Sequence, residues 1–180
     1  MKKEDFNWID KNGKRHPYSE YDAQYFPEEF GAMLDYAVNY MHYDPEMFLN
    51  AFLESDIPEF IEFGYSAYIG GKDGADLCLE IERKVLHVDT KNRPLPQNTD
   101  FCLSATRDFW VGYMIALYQW HSNLTFKEIL HKVPPKDFYD YYWRYHQEDE
   151  IRFLKELDRV CLKAQKNDFK LLKTQQIYHY

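Results

Sequence analysis

Apolar residues recur along most of this chain at helical spacing, three and four apart, with little of the strict alternation of a strand. In PEEFGAMLDYAVNYMH, which opens at Pro27, the positions Phe30, Met33, Leu34, Ala37, Val38 and Met41 line one helical face. Pro27 at the first position and Glu28 and Glu29 in the first turn suit the helix dipole, so a helix is predicted to begin there. The next segment, DPEMFLNAFLES, offers Asp44 as N-cap and Pro45 at the first helical position. It turns Phe48, Leu49, Phe52 and Leu53 inward and leaves Glu46, Asn50 and Glu54 as one polar stripe. A short helix around IPEFIEFG stops near Gly64, and after Gly70-Gly71 another is predicted with Lys72-Asp73-Gly74 as its first turn.

The polar stretch HVDTKNRPLPQNTDF then forms the main internal loop, of a length usually reserved for functional or disordered segments. It precedes FWVGYMIALYQWHS, which is apolar on nearly every face and is flanked by Ser104 and Thr106 upstream and Asn123 downstream. Gln119, His121, Ser122 and Asn123 interrupt it well short of the roughly 20 apolar residues of a membrane span. The pattern predicts a buried central helix at about 104–122. Thr125 and Glu128 have the spacing of a capping box, Pro134-Pro135 ends that short helix, and two more follow in PKDFYDYYWRYH and DEIRFLKELDRVCLKAQ. Gly112, in the middle of the central helix, is expected to admit a Trp or Tyr from a neighbour.

The fold class expected is therefore all-α: a single compact domain of six to eight helices around the 104–122 helix. Residues 1–26 read as an N-terminal arm that drapes over the domain, 27–166 as the helical domain, and 167–180 as a C-terminal tail. Composition agrees, since Gly is scarce at 7 residues while 16 Tyr and 13 Phe supply bulky helix contacts. Three cysteines far apart suggest neither a disulfide framework nor a zinc site. The first residues hold no apolar stretch of signal-peptide length, so a cytoplasmic location is expected.

Candidate chemistry is sparse. No two of the seven histidines stand three or four apart, no Gly-x-Ser-x-Gly elbow occurs, and no catalytic residue, metal or cofactor is implied. The glycines before Lys72-Asp73-Gly74 lack the Gly-Lys-Ser/Thr ending of a phosphate loop. Two short helices at 125–146 offer a helix-turn-helix outline, but Lys136 and Arg144 stand beside Asp137 and Asp140, a poor balance for phosphates, so nucleic acid is not the expected partner. His121, at the end of the central helix, is placed to cap that helix in its cationic form.

Charge changes the picture. The net charge of −8 is concentrated between His16 and Gly71, which hold eleven carboxylates and no Lys or Arg. Aromatic residues share that segment, and anchors of this kind inside a field of one sign suit the capture of a basic protein. The candidate partner-binding residues are Glu46, Glu54, Asp56, Glu59, Glu62, Tyr40 and Tyr43.

The motif Phe109-Trp110, Gly112, Tyr118-Gln119-Trp120 and Phe126 through Leu130 resembles a pattern in a family of small helical proteins, chiefly from Firmicutes, and the stretch leading to Gly71 and Gly74 is similar to that family's middle region. The similarity covers roughly residues 30–160. Genes of that family lie near toxin-antitoxin-like genes, ADP-ribosyltransferase-type toxins among them, which implies a toxin as partner class. The resemblance carries over no catalytic residue. The function expected is that of an antitoxin or immunity-like neutraliser binding a basic partner through the 16–71 surface, with no membrane involvement. The alternative is a small-ligand sensor or enzyme with a site near Arg107, Gln119, His121 and the 87–101 loop; imitation of DNA by clustered carboxylates is a third reading.

Overall fold

The computed structural model describes residues 8–89 and 106–177, with side chains described as far as Lys166. These residues form nine α-helices and one small antiparallel hairpin. The hairpin pairs β1 (Trp8–Ile9) with β2 (Arg15–His16), Trp8 facing His16. The helices are α1 (Asp22–Asp35), which runs on through a π-helical turn at Tyr36–Tyr40, α2 (Pro45–Glu54), α3 (Ile57–Glu62), α4 (Ser66–Ile69), α5 (Gly74–Lys84), α6 (Arg107–Ser122), α7 (Phe126–Lys132), α8 (Pro135–Tyr145) and α9 (Glu150–Ile177). The all-α expectation is borne out. The count exceeds six to eight because the single turn α4 adds a helix that periodicity is too short to reveal.

The helix boundaries differ from the sequence reading at both ends. α1 starts at Asp22, five residues before Pro27, because Ser19 begins the turn: its Oγ accepts from the Asp22 amide at 3.0 Å and donates to the Asp22 carboxylate at 2.6 Å. Pro27 is thus buried inside the helix, and only the bond its missing N–H would have made to Ala23 is lost. At the other end α9 continues to Ile177, through most of the segment expected as a separate tail. No Gly or Pro interrupts it. The central helix itself is well marked. Thr106 Oγ1 accepts from Phe109 N at 3.0 Å, and Asn123 closes the helix in the left-handed conformation at φ 57°.

The core is organised by the crossing of α1 and α6, and glycine decides how close they come. A Cβ on Gly112 would lie 2.8 Å from the Phe30 carbonyl oxygen and 3.0 Å from Gly31 Cα, and one on Gly31 would lie 2.8 Å from the Phe109 carbonyl oxygen. Gly112 therefore admits the backbone of α1, where an aromatic side chain had been expected. Around the crossing, buried rings join the other helices. Phe30 stacks on Phe126 with centroids 5.2 Å apart, and Phe52 meets both edge-on at 5.1 Å, tying α1, α2 and α7. Phe153 of α9 is ringed by Trp110, Tyr141 and Tyr145, with centroids 5.1, 5.4 and 4.8 Å away. Each such ring contributes roughly 1.5–3 kcal/mol by burial alone.

Residues 14–18 lie over the C-terminal end of α6. The His16 ring stacks on Trp120 at 3.9 Å and its Nδ1 donates to the Trp120 carbonyl, while Trp120 Nε1 donates to the Tyr18 carbonyl. Asn123 Nδ2 donates to the Arg15 carbonyl at 2.7 Å, and Lys14 Nζ donates to the His121 carbonyl. Lys14 thus meets the helix C-terminus that His121 was expected to cap. Gly64, at φ 69°, lets the turn after α3 press on the arm, since a Cβ there would stand 2.1 Å from the Pro17 oxygen.

Candidate interaction surface

The acidic face is built on α2. Asp44 Oδ1 accepts from Met47 N at 2.9 Å and Pro45 opens the helix, so its register is fixed from the first turn. That register buries Phe48, Leu49 and Phe52 and leaves Glu46, Asn50 and Glu54 outside. A groove of about 450 Å³ runs between this stripe and the residues that follow α5. Met47, Ala51, Val85 and Leu86 give it an apolar floor and far side, while Glu46, Asn50 and Glu54 line the other. Among the described residues neither Glu46 nor Glu54 meets a cation.

The other carboxylates of the 16–71 segment divide between surface and interior. Glu59 is exposed on α3, and Asp56 is exposed but bonded to Lys84 Nζ at 2.6 Å. Glu62 turns inward and accepts from Phe126 N at 2.8 Å, capping α7 from 64 residues away. Glu29 does the same for α5, accepting from Gly74 N at 2.9 Å, and burial pushes its carboxyl above the ordinary value. The first turn weighed as a phosphate nest is therefore occupied by the protein's own carboxylate. Asp35 is buried too, raised by that burial and bonded by Thr106 Oγ1 and Asn39 Nδ2.

The two tyrosines differ as well. Tyr40 is 52% exposed and stacks on Tyr36, whereas Tyr43 is half-buried, stacks on Phe48 and donates to the buried Glu82 at 2.6 Å. Of the seven candidate residues, the structure brings Glu46, Glu54, Asp56 and Glu59 to the surface of α2 and α3 and their junction. It gives Glu62 and Tyr43 internal partners.

The alternative site does not converge. Arg107 begins α6 and lies over the Tyr139 ring at 4.9 Å, while His121 ends the same helix, roughly 21 Å away at 1.5 Å per residue. Gln119 is buried, its amide 3.4 Å from the Leu124 carbonyl. Of the 87–101 loop, residues 90–101 lie outside the described residues. His121 instead faces α9, with Nε2 3.1 Å from Asp158 Oδ2, and Tyr118 OH donates to the other oxygen of that carboxylate.

These groups edge a second pocket of about 400 Å³ that includes Lys14, Lys132 and Cys161. Sequence reasoning missed Asp158 and Cys161 because only the α6–α9 packing brings them to His121. Burial pushes both the Cys161 thiol and the Tyr118 hydroxyl up, so neither is readied as a nucleophile. Among the described residues no group of three His, Cys, Asp or Glu side chains is placed to hold a metal ion, and no helix is long and apolar enough to cross a membrane.

Comparison with protein-family models, curated proteins and solved structures finds no significant match to this chain.

Proposed function

We propose that this protein is an interaction module of the antitoxin or immunity type, a cytoplasmic neutraliser that occludes a basic protein of the toxin class with the acidic face of α2 and α3. One observation carries the reading. Glu46, Glu54 and Glu59 stand exposed on consecutive helices without a cation among the described residues, in a stretch of more than fifty residues that holds no Lys or Arg. Such a face costs self-repulsion, which a complementary partner relieves. Exposed Met47, Tyr40 and Tyr65 supply apolar contact in the same segment.

The test begins by capturing partners on the full chain from its native cell and continues with stopped-flow association. Glu46, Glu54 and Glu59 are replaced together by Gln, and Glu62 is left alone because it caps α7. The association rate should fall about tenfold at low salt, its salt dependence should flatten, and the dissociation rate should change little. An unchanged rate and salt slope would reduce the face to a solvated surface. The 400 Å³ pocket beside His121 favours a second reading, a small-ligand sensor, which a ligand-induced rise in melting temperature abolished by Asp158→Asn would support.

A further inference from the structure

The groove beside α2 gives the neutraliser reading, on which this inference rests, a specific point of attachment. Its floor is apolar and open, with Met47 39% exposed and Val85 and Leu86 opposite. Its acidic edge places Glu46 and Glu54 on either side of the Asn50 amide. Lys84, next in sequence to Val85, does not supply the missing positive charge, because Asp56 at 2.6 Å and Glu80 at 2.8 Å hold its ammonium. Phosphate-bearing partners would be repelled by the same carboxylates.

We infer that the groove receives an arginine side chain from a basic polypeptide partner. Its aliphatic stem lies across Met47 and Leu86, and its guanidinium meets the Asn50 side-chain oxygen and the Glu54 carboxylate one helical turn on, with Glu46 adding its charge from the turn before. A volume of about 450 Å³ leaves room for that side chain and part of its own backbone. Arginine is favoured over lysine for two reasons. Its planar fork of five donors can serve a carboxylate and an amide at once, and a guanidinium is shed of water more cheaply than an ammonium when it settles on an apolar floor.

The experiment uses the full chain labelled with ¹³C at its methionine methyls and titrated with capped hexa-arginine peptide at low salt. The Met47 methyl should shift saturably while those of Met33 and Met114, both buried, stay in place and report an intact fold. Hexa-lysine should bind several-fold more weakly. Glu46→Gln with Glu54→Gln should weaken hexa-arginine about fivefold, and Glu59→Gln on α3 less than twofold. Binding that leaves Met47 unmoved would overturn the groove while sparing the wider acidic face as a docking surface. Equal affinity for both peptides, or a loss with Glu59→Gln as large as with the pair, would overturn it in favour of diffuse attraction. Absence of any binding would overturn it too. The neutraliser reading is judged separately, by association with the captured partner.

Discussion

At Gly112 a single hydrogen stands where any other residue would set a methyl against backbone. Alanine there gains about 1 kcal/mol of helix propensity, but the atoms it meets, the Phe30 oxygen and Gly31 Cα, belong to main chain and cannot rotate away. The clash wins. Gly112→Ala should lower unfolding free energy by about 1–3 kcal/mol in urea titration. Gly70→Ala, with nothing within 4 Å of its added methyl, should stay within about 0.5 kcal/mol. An unchanged midpoint for Gly112→Ala would mean that α1 and α6 do not meet so closely. Gly112 shows how far single residues were legible. Its place on a buried helix followed from the run of apolar neighbours, but its partner, 81 positions earlier in the chain, had no local signature.

Charge ties α5 to its surroundings through Glu80. Glu80 is buried, pairs with the ammonium groups of Lys72 at 2.9 Å and Lys84 at 2.8 Å, and accepts from the Tyr68 hydroxyl at 2.8 Å. Burial opposes its ionisation, yet the bonds from Lys84, Lys72 and Tyr68 outweigh it and bring the carboxyl down to about 2 from an ordinary 4.5. The folded state therefore releases this proton more readily than the unfolded chain. The stabilisation is whole above about pH 4.5 and drains away as pH falls towards 2. Glu80→Gln should cost about 2 kcal/mol at neutral pH, less than a fully dry pair because both lysines remain partly open to water. Urea midpoints of the two proteins measured against pH should converge over that acid range; a constant gap would remove the ion pairs from the account. Helix starts were legible where the cap is local, as with Asp44 before Pro45 and the Thr125–Glu128 box. They were not where the capping carboxylate comes from afar, as Glu29 does for α5 and Glu62 for α7. Pro27 misled for the converse reason: a strong local signal for a first turn was overridden by Ser19, whose side chain had already begun one.

For the molecule as a whole, the charge asymmetry was plain in the sequence, but its division was not. A count of carboxylates cannot tell Glu46, which faces the groove, from Glu62, which serves α7; only the hydrogen bond from Phe126 N to Glu62 does so. The alternative site dissolved for a related reason, because Arg107 and His121 share a helix and are held apart by its length. The close crossing of α1 and α6 also bears on how fast the chain can reach this structure. Gly31 and Gly112 meet across 81 positions of chain beside the stacked rings of Phe30 and Phe126, and bringing them together closes the segment between them at a loop entropy that only long-range contacts repay. Helical proteins usually fold quickly because their contacts are local; this one should be slow for its class. If the crossing forms in the transition state, Gly112→Ala will depress the refolding limb of a denaturant chevron and leave the unfolding limb nearly where it was, so that this contact between two glycines acts as the clock of folding.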